Sequence, residues 1–121
     1  MKSNSRTAQF AAAHRAYRFK FESPLILEDH ATEWLLGPPL STILKVAPLR
    51  WLFWRPLIAK VKPISTFIVV RSRYTEDTLE KFINDGCRQY LILGAGFDSW
   101  ALRHDKPGIV VFELDHPATQ K

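Results

Sequence analysis

Residues 89–115 hold the feature that most restricts the fold. "QYLIL" is a short apolar run that stops at Gly94-Ala95-Gly96, and "GIVVFELD" is a second run that ends on Asp115. Runs of this length, apolar at nearly every position, suit strands of a parallel sheet covered on both faces. Between them "FDSWALRHDKPG" has room for one short helix and a turn at Pro107-Gly108. Strand, tight turn, helix and strand make one crossover unit, expected to be right-handed. The expected class is therefore α/β.

A ligand of such a sheet lies beyond the carboxyl ends of the strands, where the first turn lets it approach the backbone. Gly94 and Gly96 occupy that turn, and without a Cβ either can take a positive φ or touch a ligand. The second strand should deliver an acid at its end, because a carboxylate can accept hydrogen bonds from two adjacent ribose hydroxyls. Glu113 and Asp115 are the candidates; two apart, they share a face while Leu114 points to the other. Gly-x-Gly alone is weak, since a turn with a solvated "ELD" edge needs no ligand. Strand, turn, helix and acid together point to a nucleoside-bearing cofactor.

A dinucleotide turn wants a third glycine at the place of Ser99, and the carboxylate of Asp98 would repel a pyrophosphate. Both points favour S-adenosylmethionine, which has no phosphate and carries a sulfonium and an ammonium. Its carboxylate needs a cationic partner, and Arg71 or Arg73 in "VVRSRYTED" supplies a guanidinium fork. The competing reading of these arginines is a solvent-facing basic stripe.

Upstream, "TAQFAAAHRAYRFKF" is rich in alanine, and Phe10, Ala13, Tyr17 and Phe21 fall on one face of a helix from about Thr7 to Lys20. "EDHATEWLLG" reads as a second helix with acids in its first turn, capped by a left-handed Gly37 and ended by Pro38-Pro39. Prolines at 48, 56 and 63 limit helices between Leu40 and Lys62 to two turns. "ISTFIVVRSRY" mixes the β-branched residues of a strand with continuity into the next helix, and helix is the preferred reading. "TEDTLEKFINDG" predicts a helix opened by Thr75 as N-cap and closed by Gly86. The four histidines, His14, His30, His104 and His116, lack metal-ligand spacing and read as surface or capping residues. His116, next to Asp115, is the one best placed to line a site.

At 121 residues one domain is expected. Cys87 is the single cysteine, which excludes an intrachain disulfide framework or cysteine-based zinc site and suits a reducing cytoplasm. Following Gly86 in a turn, it reads as a structural thiol. "MKSNSRTAQF" has no apolar core for a signal peptide, and no apolar run reaches bilayer length, so a soluble protein is expected. The net charge of +5 concentrates between Trp34 and Thr75, where no Asp or Glu occurs beside Lys45, Arg50, Arg55, Lys60, Lys62, Arg71 and Arg73. With "WLFW" inside it, this segment could lie on an anionic membrane or nucleic acid. The preferred reading is a helical region that buries its aromatics while Lys and Arg stems reach outward.

Five segments in order, "TAQFAAAHRA", "PLILEDHATEWLL", "VRSRYTEDTL", "CRQYLILGAGFDSWALR" and "VFELDHPATQK", resemble one family over nearly the whole chain. It is the class I S-adenosylmethionine-dependent methyltransferases related to leucine carboxyl methyltransferase and to O-methyltransferases of polyketide biosynthesis. The resemblance implies that Arg71 pairs with the cofactor's methionine carboxylate, with Arg15 near it as well. It places Gly94, Ala95 and Gly96 beneath the cofactor, gives Asp115 the ribose hydroxyls, and has Glu113 support that strand end. Ile92 stands where many methyltransferases have an acid, as is usual in this family; the departures from the family pattern are Trp100, where many relatives have arginine, and "EDHA", where relatives often read Asp-Pro-aromatic-Ala.

The implied fold is a helical cap over residues 1–74, followed over 75–121 by the start of a Rossmann-like domain. The rest of the sheet, the adenine-binding pair and the acceptor pocket would lie beyond Lys121. The implied activity is methyl transfer to a carboxylate or hydroxyl of a small molecule or protein C-terminus, with no catalytic base assignable and no metal. A lone two-stranded sheet implies a marginally stable or aggregation-prone chain unless another chain completes it. The alternatives are a fragment of an NAD-dependent oxidoreductase, or a non-catalytic module whose segment 44–73 binds a membrane or a protein; nucleic acid and stable membrane insertion are not expected.

Overall fold

A computed structural model describes residues 6–117 and Thr119. The start of the stretch read as lacking a signal peptide, residues 1–5, lies outside them, as do the last residues of "VFELDHPATQK". The elements run α1 (Arg6–Phe21), α2 (Thr32–Leu35), α3 (Pro38–Lys45), α4 (Ala47–Leu49), a π-helical turn (Arg50–Trp54), α5 (Arg55–Lys60), α6 (Lys62–Asn84), β1 (Gln89–Leu93), α7 (Trp100–Arg103) and β2 (Val110–Leu114). The described residues form a mixed α/β structure of helices and a small two-stranded parallel sheet.

α1 is the central helix. Ala12, Ala13 and Ala16 are buried on it, and with Leu36, Leu44 and Trp54 they form the apolar core. The small alanine side chains leave room for Leu44 and Trp54 to pack on this face, while Arg18 Nη1 ties the helix to α6 by donating to Thr66 Oγ1 at 2.7 Å. Pro38, Pro48 and Pro63 fall in first turns, where their missing N–H would have had no partner. Pro56 instead follows the π-helical turn without a break, so residues 47–60 form one helical run, longer than the two turns expected. Gly37 has the expected positive φ of 73°, but its ψ of 174° makes it the entry to α3 and not a left-handed cap of α2.

Two expectations are corrected and one holds. Segment 62–84 is one continuous helix, so Thr75 is no N-cap; its hydroxyl donates back to Arg71 O at 2.9 Å, and Ser72 does the same to Ile68 O. The β-branched run is helical, as its preferred reading had it, because Ile68 and Val69 pack inward there and packing overrides propensity. The "WLFW" aromatics are not collectively buried: Trp54 is, but Trp51, Leu52 and Phe53 stay exposed.

β1 and β2 pair in parallel with Gln89 opposite Val110 and Leu93 opposite Leu114. Trp100 of α7 packs edge-on against Tyr90, with ring centroids 5.5 Å apart, and covers one sheet face. The opposite face carries Leu91, Leu93, Val110, Phe112 and Leu114, between 47% and 74% exposed. That face has no covering layer among the described residues.

Candidate functional site

The carboxyl end of β1, the amino-terminal half of α1 and the middle of α6 enclose a cleft of about 590 Å³. Its floor is the glycine turn. Gly94 and Ala95 both donate their N–H groups to Leu114 O, at 2.7 and 3.2 Å, so β2 holds the turn shut at one end. Gly94 and Gly96 have φ of 70° and 59°, in the left-handed region that a side chain makes costly. A Cβ on Gly96 would lie 3.2 Å from Ala8 Cβ, so the turn needs small residues on both sides to sit against α1. A Cβ on Gly94 would meet nothing within 4 Å, which leaves the cleft open over that residue.

Asp115 closes the cleft at the end of β2. One carboxylate oxygen accepts the Gly96 N–H and the other accepts the His116 N–H. A carboxylate offers about four acceptor sites, so two remain for hydroxyl groups. Asp98 also lines the cleft, and its Oδ1 accepts the Trp100 N–H at 2.8 Å, opening α7. Burial raises the pKa of the Tyr90 phenol, with the negative charges of Asp98, Glu76 and Glu113 adding to it. The wall near Asp98 is therefore electronegative and favours a cation over a phosphate.

The two candidate arginines separate. Arg71 lines the cleft and makes no ion pair among the described residues, whereas Arg73 pairs with Asp77 at 2.9 Å. Gly94, Ala95, Gly96 and Asp115 come together with Arg71 around one cavity. Glu113 does not join them: it stands opposite Ile92 in the ladder, outside the cleft lining. Its carboxyl is raised above the usual range, first by burial and then by Asp98.

His116 is exposed and outside the cleft lining. His104 stacks on Trp100 at 4.9 Å, and its Nδ1 lies 3.0 Å from Trp100 O. His14 overturns the surface reading: it is fully buried between Phe10 and Trp54. Cys87 is half-buried, its thiol directed at Gln89 O. Among the described residues no cluster of three metal-ligating side chains occurs, and no helix is long and apolar enough to cross a membrane.

Sequence reasoning missed a buried ionic group beneath the turn. Asp29 is 1% exposed and lies between Arg15 and Arg103, with N–O separations of 3.3 and 3.4 Å. It is no first-turn acid of α2; it precedes the helix and accepts the Thr32 N–H at 3.1 Å. Its partners are far apart in the chain, so no local spacing marks them.

The family model described as leucine carboxyl methyltransferase matches residues 8–121. Among similar proteins are YktD of Bacillus subtilis (strain 168), 30% identical over 98% of this chain and 44% of its own length, and proteins of Mycobacteroides abscessus (32%, covering 92% and 35%) and Mycolicibacterium smegmatis (34%, covering 92% and 36%). All three bear the name "Putative S-adenosyl-L-methionine-dependent methyltransferase". The chain spans less than half the length of these relatives. No solved structure gives a significant match.

Proposed function

The chain belongs to the leucine carboxyl methyltransferase family, and on that premise we propose that its cleft is the donor half-site of an S-adenosylmethionine-dependent methyltransferase. The observation that carries the proposal is the convergence on one cavity of a turn free of side chains at Gly94 and Gly96, an arginine without an ion pair, and an acid with acceptor sites to spare.

The residues present fit the cofactor. Arg71 would take its carboxylate through a charge-assisted fork. Asp115 would accept from the ribose hydroxyls while keeping its bond to Gly96 N–H. Ala95 and the two glycines form the floor, and Asp98 puts a negative charge where a cationic ligand gains and a pyrophosphate loses. Glu113 is a support of the β2 end in this reading, not a ligand. Ser99 argues further against a dinucleotide: it is fully buried and its hydroxyl accepts from Arg103 Nε at 3.1 Å, where close helix packing of a nicotinamide site uses glycine.

Bound there, the cofactor supplies an electrophilic methyl group. The chain's own contribution is to hold it in place, since donor and acceptor positioning dominates a displacement of this kind. A carboxylate acceptor is already a nucleophile and needs no base, whereas a hydroxyl acceptor does; we assign no base. The acceptor is a carboxylate or hydroxyl of a small molecule or protein C-terminus.

In this reading residues 1–74 act as a helical cap and 75–121 begin a Rossmann-like cofactor domain, with α6 spanning both. Polypeptide beyond these 121 residues, in the same or a second chain, supplies the acceptor site and covers the bare face of the sheet. The setting is cytoplasmic. Native mass spectrometry with S-adenosylhomocysteine and NAD in competition tests the assignment: retention of S-adenosylhomocysteine supports it, and selective retention of NAD transfers the site to an oxidoreductase.

A second reading draws on the exposure of Trp51, Leu52 and Phe53 in a segment without acids. Such a surface suits an anionic membrane. Salt-sensitive binding to anionic vesicles that is lost on neutralising Arg50, Arg55 and Lys60 would support it, and indifference to those changes would dismiss it.

A further inference from the structure

Asp29 lies in the connection between α1 and α2, yet it is more deeply buried than most of the apolar core. A carboxylate taken out of water is costly unless it is paired. Here Arg15 from α1 and Arg103 from α7 approach its two oxygens. Each arginine is engaged a second time. Arg15 Nη2 donates to the carbonyl of Phe97, the residue after Gly96. Arg103 donates to Glu28 O at 2.8 Å, to Ser99 Oγ, and through Nη2 to the carboxylate of Glu76 on α6. Two cations and two anions thus form a neutral group that joins α1, the 22–31 connection, α6, α7 and the glycine turn.

Buried ion pairs contribute little net stability compared with apolar packing, but in some proteins they fix geometry where registry matters. The geometry fixed here is that of the cleft floor. The Phe97 carbonyl has one side-chain donor among the described residues, Arg15, and Arg15 in turn faces Asp29. We propose that Asp29 is a positioning residue for the glycine turn: it holds Arg15 against Phe97 O, which pins the 94–98 turn to α1 with its open side toward the cleft. Arg15 is thereby committed to the protein, and Arg71 is left as the cation for a ligand carboxylate. The inference rests on the cleft being the cofactor site only for its effect on affinity, not for its effect on the turn.

The test is made on the 121-residue chain with Asp29→Asn, Arg15→Met and the double variant. Two quantities are read: amide hydrogen exchange in residues 94–98 against residues 66–80 of α6, and affinity for S-adenosylhomocysteine. Either single variant should speed exchange in the turn by about tenfold while α6 keeps its protection. Each should weaken binding by about tenfold, and the double variant should be no weaker than Arg15→Met alone, because the two residues act through one contact. Unchanged turn exchange in both variants, or multiplied losses in the double variant, would overturn the inference. If Asp29→Asn also loses α6 protection, Arg15→Met, which leaves Asp29 paired with Arg103, decides the matter. If the unaltered chain takes up no S-adenosylhomocysteine but turn exchange still responds, positioning stands and these 121 residues do not form the donor half-site unaided.

Discussion

His14 makes the chain acid-sensitive because its site excludes the protonated form. The imidazole is fully buried, 4.2 Å from the Phe10 ring and 6.1 Å from Trp54, and neither ring nitrogen has a hydrogen-bond partner among the described residues. Burial, and then the positive charge of Arg18, lower its pKa from 6.5 to about 4. Above pH 6.5 it is neutral folded or unfolded and adds no pH dependence. As the pH falls from 6.5 toward 4 the unfolded chain takes up a proton that the folded chain refuses, so stability declines through that window. The pKa difference corresponds to about 3 kcal/mol, most of it lost by about pH 4.5. That is a large part of the 5–15 kcal/mol or so that typically holds a domain together. Urea unfolding followed by tryptophan fluorescence, at pH 7 and at about pH 4.5, should show a larger loss for the unaltered chain than for His14→Leu. The stability difference between the two should shift in favour of the variant by about 2–3 kcal/mol on acidification. Parallel pH profiles would refute the buried, neutral histidine.

Other outcomes follow from the turn and the sheet. Gly96→Ala should cost about 1–2 kcal/mol from the left-handed φ alone, more from the contact with Ala8, and should be visible as a lower midpoint in urea. Gly94→Ala, with open space around its new methyl, should lose only the conformational share of that stability, yet weaken S-adenosylhomocysteine binding by about tenfold by filling the cleft. The bare sheet face should make the isolated chain prone to self-association. Phe112→Lys should reduce that, read as lower light scattering and weaker dye binding; a sharp, reversible thermal transition of an unmodified monomer would show instead that the face needs no cover.

The legibility of this chain divides by distance along it. β1, the glycine turn and Asp115 could be read because a short apolar run, two glycines and an acid at a fixed offset are local signals. Arg71 could be placed on α6, but its separation from Arg73 became visible only through the Asp77 pairing of the latter. Thr75 misled because a hydroxyl before two acids looks like a cap, and the same hydroxyl can bond back inside a helix. The burial of His14, the exposure of Trp51 and the Asp29 group depend on which distant segments pack together. Nothing in "AAHRAY" or "LEDHA" encodes that Arg15, Asp29 and Arg103 meet.

The central claim is that Arg71, the glycine turn and Asp115 make a donor half-site, and titration calorimetry with S-adenosylhomocysteine tests it most directly. The account predicts saturable binding that Arg71→Ala weakens by about ten- to hundredfold, the worth of a hydrogen-bonded charge. The exposed, unpaired arginine should leave with little change in stability, while Asp115→Asn should weaken binding and loosen the turn together. Binding indifferent to both substitutions would contradict the assignment of the site, and no binding at all would mean that these 121 residues do not form the half-site unaided.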